Sequence, residues 1–452
     1  MKNQKTILVT VGISFVARNI LRSDVLKTIL EKSGAKIIAV LPAGAKWQFN
    51  DLASERVIFV GAKTPKQNIL RKAFLWFCRN LVFTSTTYVL YGATVKGEPK
   101  RLSVFFRRLV ARTFGRFRFL KNNMEKIDLF FFRQRPYKEI FEKYRSSLVF
   151  ATNLLNDSLD GEILKEAKRR RIFTIGMPKS WDSFNKLFVH LKSDALFVWN
   201  EVVEEESISL QGYKKDNISV VGMPQNDNFV KRKGVIPRKD FLASIGFKED
   251  RPLVLFGSGG EYAPEDNKIL GVLVEAIKTG EIKANVLVRP YCGTPNAERY
   301  GEFGDLSFLR INSCPAERKE WGKKWALFDE DHFANSLAHA DVLVTFASTL
   351  AVDASFFDTP VVLAGFDLEP KPRIKSIRRY YETKHYKNII DTGGVRLALS
   401  KEDFIKFING YLQNRDLDAE KRLILRDRIG GPSDGHVGER IGNIILKILQ
   451  NF

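Results

Sequence analysis

Two hydroxyl side chains, Ser348 and Thr349, lie between two short apolar runs that are typical of buried parallel strands, residues 341–346 and 361–366. The residues between the runs leave room for one short helix, and the two hydroxyls fall where that helix begins. A helix N-terminus presents unpaired N–H groups and a partial positive charge, which suit a phosphate or diphosphate. Taken alone, a hydroxyl at such a turn is more often an ordinary N-cap. The phosphate site therefore depends on the sequence around it.

Two further features are expected at the same edge of a sheet. The turn Gly257-Ser258-Gly259-Gly260 follows an apolar strand, and its glycines permit close approach of the backbone to a ligand. Arg289 ends another apolar run and could neutralise the charge of a leaving phosphate. Glycine-rich turns are common, and Arg289 could equally be a surface arginine before a turn. Neither feature identifies a site by itself.

The size and composition of the chain indicate a two-domain protein. Its 452 residues, of which 44% are hydrophobic, exceed what one core usually serves. Cys78, Cys292 and Cys314 are widely spaced and form no CxxC or Cys/His cluster, which indicates a reducing, cytosolic setting without a structural zinc site. We find neither a signal peptide nor the roughly 20 apolar residues that a spanning helix needs, so no membrane span is expected.

Short apolar strands alternate with helices along most of the chain, as in doubly wound α/β proteins with a parallel sheet. A basic stretch with Pro and Gly, residues 230–241, interrupts the alternation as a linker would. The sequence therefore predicts two Rossmann-like domains, residues 1–232 and 233–435, and a C-terminal helix over 436–452 that could pack back on the first domain. Ligands of such sheets bind at the carboxyl ends of the strands, so a cleft faced by both domains is the expected site.

A basic, aromatic insertion is predicted in the first domain at about residues 66–145, where 19 Lys or Arg stand against 5 Asp or Glu. Basic residues interleaved with Phe and Trp suit an anionic membrane surface. They could also suit nucleic acid, but the absence of RRM, KH, zinc-finger and helix-turn-helix patterns disfavours that partner. The alternative is that the aromatic residues belong to the core and the arginines to a solvated face.

Several motifs can be compared with known families: MPKSWDS at 177–183, VWNEVVEEES and VVGMPQND between 198 and 227, FASTLAVDA and TPVVLAGFD between 346 and 367, and SDGHVGERI at 433–441. With these motifs the chain, from about residue 145 to its end, resembles the GT-B superfamily. That superfamily includes nucleotide-sugar glycosyltransferases, UDP-N-acetylglucosamine 2-epimerases and CDP-glycerol glycerophosphotransferases. Within it, the chain is most similar to bacterial and archaeal surface-carbohydrate biosynthesis proteins. The insertion matches no family that we can name.

The resemblance implies a fold and a division of labour. GT-B proteins have two Rossmann-like, doubly wound parallel-sheet domains facing a cleft, with the nucleotide donor on the C-terminal domain and the acceptor on the N-terminal one. Ser348 and Thr349 would then contact the diphosphate. Asp353, one helical turn later, would accept hydrogen bonds from ribose hydroxyls, although an acid there could equally complement the helix dipole.

On the acceptor side, Trp181 could stack on a sugar ring, and Asp182 could act as the general base on an acceptor hydroxyl. Ser180 or Asp182 could equally cap a helix. His385 could contact phosphate or base, although a lone histidine is more often structural. The remaining candidates for lining the cleft are Gly12, Ser14, Lys179 and Ser180.

Departures from the relatives narrow the reaction. Epimerases of this fold usually show a Ser-Gly-Gly turn followed by paired glutamates, whereas this chain has Ala347-Ser348-Thr349 and one acid, Asp353. Glycerophosphotransferases typically carry His-Pro after the strand that here ends in Arg289-Pro290. Epimerisation is therefore disfavoured, and glycerophosphate transfer is weakened. The triplet Asp329-Glu330-Asp331 resembles a metal-binding DxD motif but precedes a predicted helix, so we expect a cap cluster and no obligatory metal.

The sequence thus predicts a glycosyltransferase without cofactor or metal, which moves a sugar from a nucleotide diphosphate to a cell-surface glycan or lipid-linked acceptor. It would work in the cytoplasm as a peripheral protein at the inner face of the membrane. Alternatives within the fold are a CDP-glycerol-type glycerophosphotransferase and a nucleotide-sugar 2-epimerase. An alternative of another class is a non-catalytic binding protein for anionic lipid, glycan or nucleic acid.

Overall fold

The computed structural model describes residues 4–93, 98–155, 158–291, 297–312 and 329–451. Cys292, Cys314 and part of the predicted insertion, residues 94–97, lie outside these ranges. The chain forms two compact units. The first comprises Met1–Tyr88, Leu102–Asp227 and His436–Phe452, and the second comprises Val89–Arg101 and Asn228–Gly435.

The first unit is built on a seven-stranded parallel sheet in the order β3-β2-β1-β4-β5-β6-β7. Its strands are β1 Thr6–Thr10, β2 Lys36–Pro42, β3 Val57–Ala62, β4 Leu148–Ala151, β5 Phe173–Gly176, β6 Ala195–Val198 and β7 Ile218–Val220. In register, Leu8 of β1 lies opposite Ile38 of β2 and Val149 of β4. All three side chains are fully buried, as expected for a parallel sheet covered on both faces.

The second unit carries a six-stranded parallel sheet in the order β10-β9-β8-β11-β12-β13. Its strands are β8 Leu253–Gly257, β9 Asn285–Arg289, β10 Leu309–Ile311, β11 Val342–Thr345, β12 Val361–Ala364 and β13 Arg396–Ala398. The two sheets confirm the predicted architecture of two Rossmann-like units. The sequence did not predict β10 and β13, which are three-residue edge strands and are only partly buried.

Helices connect the strands throughout the chain. Those that precede β8 are α1 Ser14–Leu21, α2 Asp24–Lys32, α3 Ile69–Arg79, α4 Ser85–Gly92, α5 Arg101–Thr113, α6 Arg118–Phe131, α7 Lys138–Tyr144, α8 Asp160–Arg169, α9 Glu201–Ser209, α10 Asn226–Val230 and α11 Arg238–Ser244. Those that follow it are α12 Asp266–Lys278, α13 Glu330–His339, α14 Leu350–Ser355, α15 Arg378–Tyr381, α16 Lys384–Ile390, α17 Lys401–Gln413, α18 Ala419–Leu425 and α19 Val437–Gln450. Within the described ranges, no helix combines the length and the apolar character that crossing a bilayer requires.

The C-terminal helix α19 packs on α2 within the first unit. A Cβ atom at Gly442 would lie 2.7 Å from the Cβ of Thr28 on α2, so only glycine permits this close approach. The Asp227 carboxylate accepts hydrogen bonds from the Val437 and Gly438 N–H groups at 2.9 and 2.8 Å. The start of α19 is therefore satisfied by an acid from a distant part of the chain.

A buried charge cluster fixes the insertion helices to the first unit. Arg71 on α3 donates to Asp128 on α6 at 2.5 Å and to Glu162 on α8 at 3.0 Å. The Lys165 ammonium and the His190 ring each lie 2.7 Å from Asp128. Burial alone would raise the pKa of Asp128, but the hydrogen bond with His190 and the charge of Arg71 outweigh it and hold that pKa well below its usual range. Part of the basic segment is thus structural.

Candidate functional site

The carboxyl ends of β8, β9 and β11 bring several predicted residues to one edge of the second sheet. The Ser258 N–H donates to the Arg289 carbonyl at 3.0 Å, which ties the ends of β8 and β9. The Thr345 hydroxyl donates to the Gly257 carbonyl at 3.0 Å, which ties β8 to β11. A Cβ at Gly257 would lie only 2.3 Å from Leu350 at the start of α14. The sequence therefore has glycine at the point where α14 packs on β8.

The glycine-rich turn is organised by one carboxylate, Asp266 at the start of α12. Its Oδ2 accepts from the Ser258 hydroxyl at 2.6 Å, from the Gly259 N–H at 3.1 Å and from the Tyr300 hydroxyl at 2.8 Å. Arg299 donates to the other oxygen at 2.9 Å. Because the donors of Ser258 and Gly259 are used internally, a ligand would have to displace Asp266 to reach them. Sequence reasoning missed Asp266, whose signal is an acid in the first turn of the next helix.

The Ser348–Thr349 turn leads into α14 as predicted, with Ser348 half-buried and Thr349 exposed. The Ser348 hydroxyl accepts from the Leu350 N–H at 3.3 Å, a local cap of the kind that the sequence left open. Tyr386 on α16 is hydrogen-bonded to this turn. Its hydroxyl accepts from the Ser348 N–H at 3.2 Å and donates to the Phe346 carbonyl at 2.9 Å. Burial raises the pKa of Tyr386, so this hydroxyl stays protonated and can donate.

Asp353 and His385 lie on the two helices that adjoin this turn. Asp353 is in the first turn of α14 and is 9% exposed, which fits both the ribose and the helix-dipole interpretations. His385 is half-buried near the start of α16, and its ring centre lies 6.3 Å from that of Tyr386. The contact between Tyr386 on α16 and the turn joins residues far apart in the chain, so no local pattern predicted it.

Arg289 is a buried cation rather than a surface arginine. Its side chain is 7% exposed, and the guanidinium carbon lies 4.8 Å from the centre of the Phe333 ring on α13. Burial lowers the pKa of Arg289 to about 10, although the charge of Asp329 opposes the shift. A desolvated guanidinium gains strongly from an added anion, since little water must be removed when the anion binds.

An open pocket adjoins the same edge, beyond the ends of β11 and β12. Its lining combines the aromatic residues Phe346 and Phe366 with the charged residues Asp367 and Lys371. Lys371 pairs with Asp367 at 3.4 Å and with Glu265. Apolar walls with a few fixed polar groups are typical of small-molecule sites. Phe346 follows the end of β11 and directly precedes the Ala347–Thr349 turn in the chain.

In the first unit, the predicted acceptor residues follow β5 in a turn rather than a helix. The Asp182 carboxylate pairs with the Lys186 ammonium, and both side chains remain partly accessible. The Ser180 N–H donates to the Ser183 hydroxyl at 3.1 Å, so Ser180 and Asp182 cap no helix here. Trp181 is only 5% exposed, and this burial argues against its stacking on a sugar ring.

The remaining acceptor candidates occupy neighbouring positions. Gly12 follows β1 and is buried, Ser14 begins α1, and Lys179 is half-buried after β5. A buried carboxylate, that of Asp160, lies where β1 and β4 end, and the sequence analysis did not single it out. There the Asp160 carboxylate accepts from the Thr10 hydroxyl, and it accepts from the Asn153 N–H at 3.0 Å.

The residues that the structure describes contain no group of three or more His, Cys, Asp or Glu that could hold a metal ion. In the Asp329-Glu330-Asp331 triplet, the Asp329 carboxylate accepts from the His332 N–H at 2.9 Å at the start of α13. This is the predicted N-cap.

Solved structures match the chain over nearly its whole length. A putative UDP-N-acetylglucosamine 2-epimerase from Listeria monocytogenes has a TM-score of 0.59 at 12% identity and covers 99% of this chain and 98% of its own. UDP-GlcNAc 2-epimerase from Neisseria meningitidis, bound to UDP-GlcNAc, has a TM-score of 0.54 at 12% identity and covers 99% and 100%. MurG from Acinetobacter baumannii has a TM-score of 0.50 at 11% identity, with 99% and 100% covered.

No protein-family model matches the chain, and a search of curated proteins found no match. At 11–12% identity, the structural likeness shows the fold alone. The chain has the GT-B fold.

Proposed function

We propose that this GT-B chain is a metal-independent glycosyltransferase that moves a sugar from a nucleotide diphosphate to a hydroxyl of a glycan or lipid-linked acceptor. The observation that carries the proposal is the edge of the second sheet. There, buried Arg289 ends β9 and the accessible Ser348–Thr349 turn follows β11, with β8 between them. Neighbouring strands lie about 4.8 Å apart, so the two strand ends are about 10 Å from each other. One nucleotide diphosphate would contact both.

The donor would use these groups as the bond breaks. The Arg289 guanidinium and the hydroxyls of Ser348 and Thr349 would stabilise the charge that develops on the leaving diphosphate. The Asp353 carboxylate would accept hydrogen bonds from the ribose hydroxyls. The glycosyl group would lie in the pocket that begins at Phe346, where aromatic and charged side chains meet. That the Neisseria neighbour holds UDP-GlcNAc supports a nucleotide sugar as the donor.

The acceptor step assigns a role to Asp182. The acceptor oxygen attacks the anomeric carbon, the bond from that carbon to the diphosphate oxygen breaks, and the acceptor proton passes to the Asp182 carboxylate. The Asp182 carboxylate is partly accessible in the turn after β5, where it pairs with the Lys186 ammonium. A lipid-linked acceptor would place the enzyme at the cytoplasmic face of a membrane as a peripheral protein.

Epimerisation of a nucleotide sugar is the second candidate, because the neighbours include enzymes named as UDP-GlcNAc 2-epimerases. The Ala347-Ser348-Thr349 turn and the single acid Asp353 argue against it. The case for glycerophosphate transfer from CDP-glycerol is weaker, because this chain has Arg289-Pro290 where glycerophosphotransferases typically have His-Pro. A non-catalytic protein for an anionic ligand would also use the buried Arg289, so product formation distinguishes it from a transferase.

Nucleotide binding is the first test. The full chain is screened by thermal shift and then calorimetry against UDP-, GDP-, CDP- and CMP-linked sugars and CDP-glycerol. One nucleotide class should stabilise the chain, and Thr349→Val should weaken its binding about tenfold by removing one hydroxyl. Thr279→Val at the far end of α12 is the matched control, because it also loses a partly accessible hydroxyl. No nucleotide binding, or equal binding by both variants, would overturn the proposal.

Product analysis with the nucleotide sugar that binds distinguishes sugar transfer from epimerisation and glycerophosphate transfer. A transferase releases nucleoside diphosphate only when an acceptor is added, apart from slow hydrolysis. An epimerase converts the sugar without acceptor and releases no diphosphate in stoichiometric amounts. Release of CMP from CDP-glycerol would indicate glycerophosphate transfer instead.

A further inference from the structure

Helix α5 turns an apolar stripe towards solvent. Leu102, Phe105, Phe106 and Leu109 recur at helical spacing, and their side chains are 75%, 60%, 51% and 45% exposed. No residue of α5 is buried. A surface helix of a globular protein normally turns such a stripe to the core, so the exposed stripe calls for a partner.

The same surface continues through the turn into α6. Phe114, Phe117 and Phe119 are 46%, 61% and 82% exposed. We call residues 102–119 the basic-aromatic hairpin. In the described part of the chain, this is where large exposed hydrophobic side chains are most concentrated.

The charge of the hairpin has one sign. It contains five arginines and neither Asp nor Glu, and four of the five are exposed: Arg108, Arg112, Arg116 and Arg118. Exposed phenylalanines and leucines beside arginines can enter the headgroup region of a bilayer while the guanidinium groups meet lipid phosphates. The charge therefore complements an anionic surface.

The hairpin is held in place on its inner side. Arg107, the fifth arginine, donates to Asn80 at 2.7 Å and lies over the Trp76 ring at 5.8 Å. A Cβ at Gly115 would lie 2.4 Å from the Leu81 carbonyl, so the turn approaches the end of α3 closely. Because these contacts fix the helix before it meets a partner, little conformational entropy remains to be lost on binding.

We propose that the basic-aromatic hairpin docks the protein on an anionic phospholipid bilayer, with α5 lying in the plane of the interface. Leucine and phenylalanine side chains would enter the acyl boundary, and the exposed arginines would bind lipid phosphates. The exposed Leu102 and Leu109, which offer no ring for base stacking, extend the apolar stripe beyond the phenylalanines and favour a bilayer over nucleic acid. This proposal does not depend on sugar transfer.

Vesicle flotation of the full chain tests the proposal. The protein should float with vesicles that contain phosphatidylglycerol and stay behind with pure phosphatidylcholine. Phe105→Ser/Phe106→Ser and Arg108→Ser/Arg112→Ser should each lower the vesicle partition coefficient at least tenfold. Matched controls carry the same changes elsewhere: Leu423→Ser/Ile424→Ser for exposed apolar residues and Lys248→Ser/Arg251→Ser for exposed cations. The controls should float like the unchanged protein.

Folding and competing partners are followed in parallel. Equal melting temperatures and nucleotide binding for variants and controls would show that the loss is local. Equal flotation with both lipids, or unchanged flotation of both hairpin variants, would overturn the proposal. So would a dimer in sedimentation that Phe105→Ser/Phe106→Ser dissociates, since a second copy would then cover the face. RNA binding that needs the arginines but not the phenylalanines, without flotation, would likewise assign the surface to nucleic acid.

Discussion

The Tyr386 hydroxyl lies 3.2 Å from the Ser348 backbone nitrogen, from which it accepts a hydrogen bond. The same hydroxyl donates to the Phe346 carbonyl at 2.9 Å. One buried side chain on α16 therefore fixes both ends of the turn that leads into α14. Because it uses the Ser348 N–H, the turn offers a ligand mainly its hydroxyl groups and its later N–H groups.

Tyr386→Phe should weaken donor binding more than it weakens the fold. The change removes hydrogen bonds worth about 1 kcal/mol each, and the released turn should lower nucleotide affinity about five- to tenfold. Tyr381→Phe is the control, since its hydroxyl is equally buried and donates to Ala364 at 2.8 Å without touching the turn. Calorimetry and thermal unfolding compare the two. An equal loss of nucleotide affinity in both variants would remove Tyr386 from the site.

Arg289→Met should separate stability from binding. Methionine can keep the packing against the Phe333 ring and removes the cost of burying a charge, so the unfolding free energy should fall less than the binding free energy. Nucleotide affinity should fall at least tenfold, because the cation that faces the diphosphate is lost. Arg310→Met is the control, as Arg310 lies over the Phe247 ring at 4.9 Å on the edge strand β10. Unchanged affinity in Arg289→Met would contradict the donor assignment.

Asp182→Asn should abolish proton acceptance while leaving the turn intact. A general base contributes about 10² to 10⁴ in rate, so kcat should fall by at least a hundredfold with little change in donor affinity. Lys186→Met keeps the carboxylate but removes its cationic partner. This variant should therefore retain most of the transfer rate, since the proton acceptor itself is still present. Full transfer activity in Asp182→Asn would exclude this residue from catalysis.

The lowered pKa of Asp128 predicts acid sensitivity. An acid whose pKa is lower in the folded state contributes stability above its unfolded pKa near 4, and that contribution disappears as the pH falls through the folded value. Asp128→Asn should therefore cost about 3 to 5 kcal/mol at pH 7, where Arg71 and Lys165 would share the single remaining acid Glu162, and its deficit should shrink below pH 4. Denaturant titrations from pH 3 to 7 measure the difference.

Asp51→Asn provides the matched control for that titration. Asp51 also has a lowered pKa, because it accepts a hydrogen bond from Arg22, but both side chains are about half exposed. Solvent screening limits such a pair to about 0–1 kcal/mol. Similar losses in Asp128→Asn and Asp51→Asn would show that the buried cluster is not special. If Asp128→Asn does not fold, the acid limb of the unchanged protein's stability still tests the sign.

Gly257→Ala should disturb the edge of the second sheet that is proposed to bind the donor, and it should do so through packing alone. The added methyl would stand 2.3 Å from the Leu350 Cδ2 atom, so the Leu350 side chain or α14 itself must move, at a cost of about 1 to 3 kcal/mol. Nucleotide affinity should fall with it. Gly301→Ala is the control, because nothing lies within 4 Å of the position that its Cβ would take. Normal stability in Gly257→Ala would mean that the end of β8 is looser than its contacts indicate.

The sequence by itself determined the two parallel sheets and most of their strands. Strands such as β2 and β11 are buried on both faces, so they stand out as continuous apolar runs bounded by turn residues. Local capping was also predictable at Asp329, whose carboxylate accepts a hydrogen bond from the His332 N–H at the start of α13. The edge strands β10 and β13 were not predicted, because each is short, contains arginine and has few buried residues.

Only the tertiary structure decided how the candidate site is held and which parts of the insertion meet solvent. Asp266 controls the glycine-rich turn, and Tyr386 supports the Ser348–Thr349 turn, through contacts that no local pattern announces. Within the basic segment, Arg71 is buried and paired with Asp128 and Glu162, whereas Arg108 is exposed to solvent. Both arginines stand among basic and aromatic neighbours, so their local sequences do not distinguish them. Burial and pairing depend on which distant elements pack together, whereas a strand or a cap depends on its own few residues.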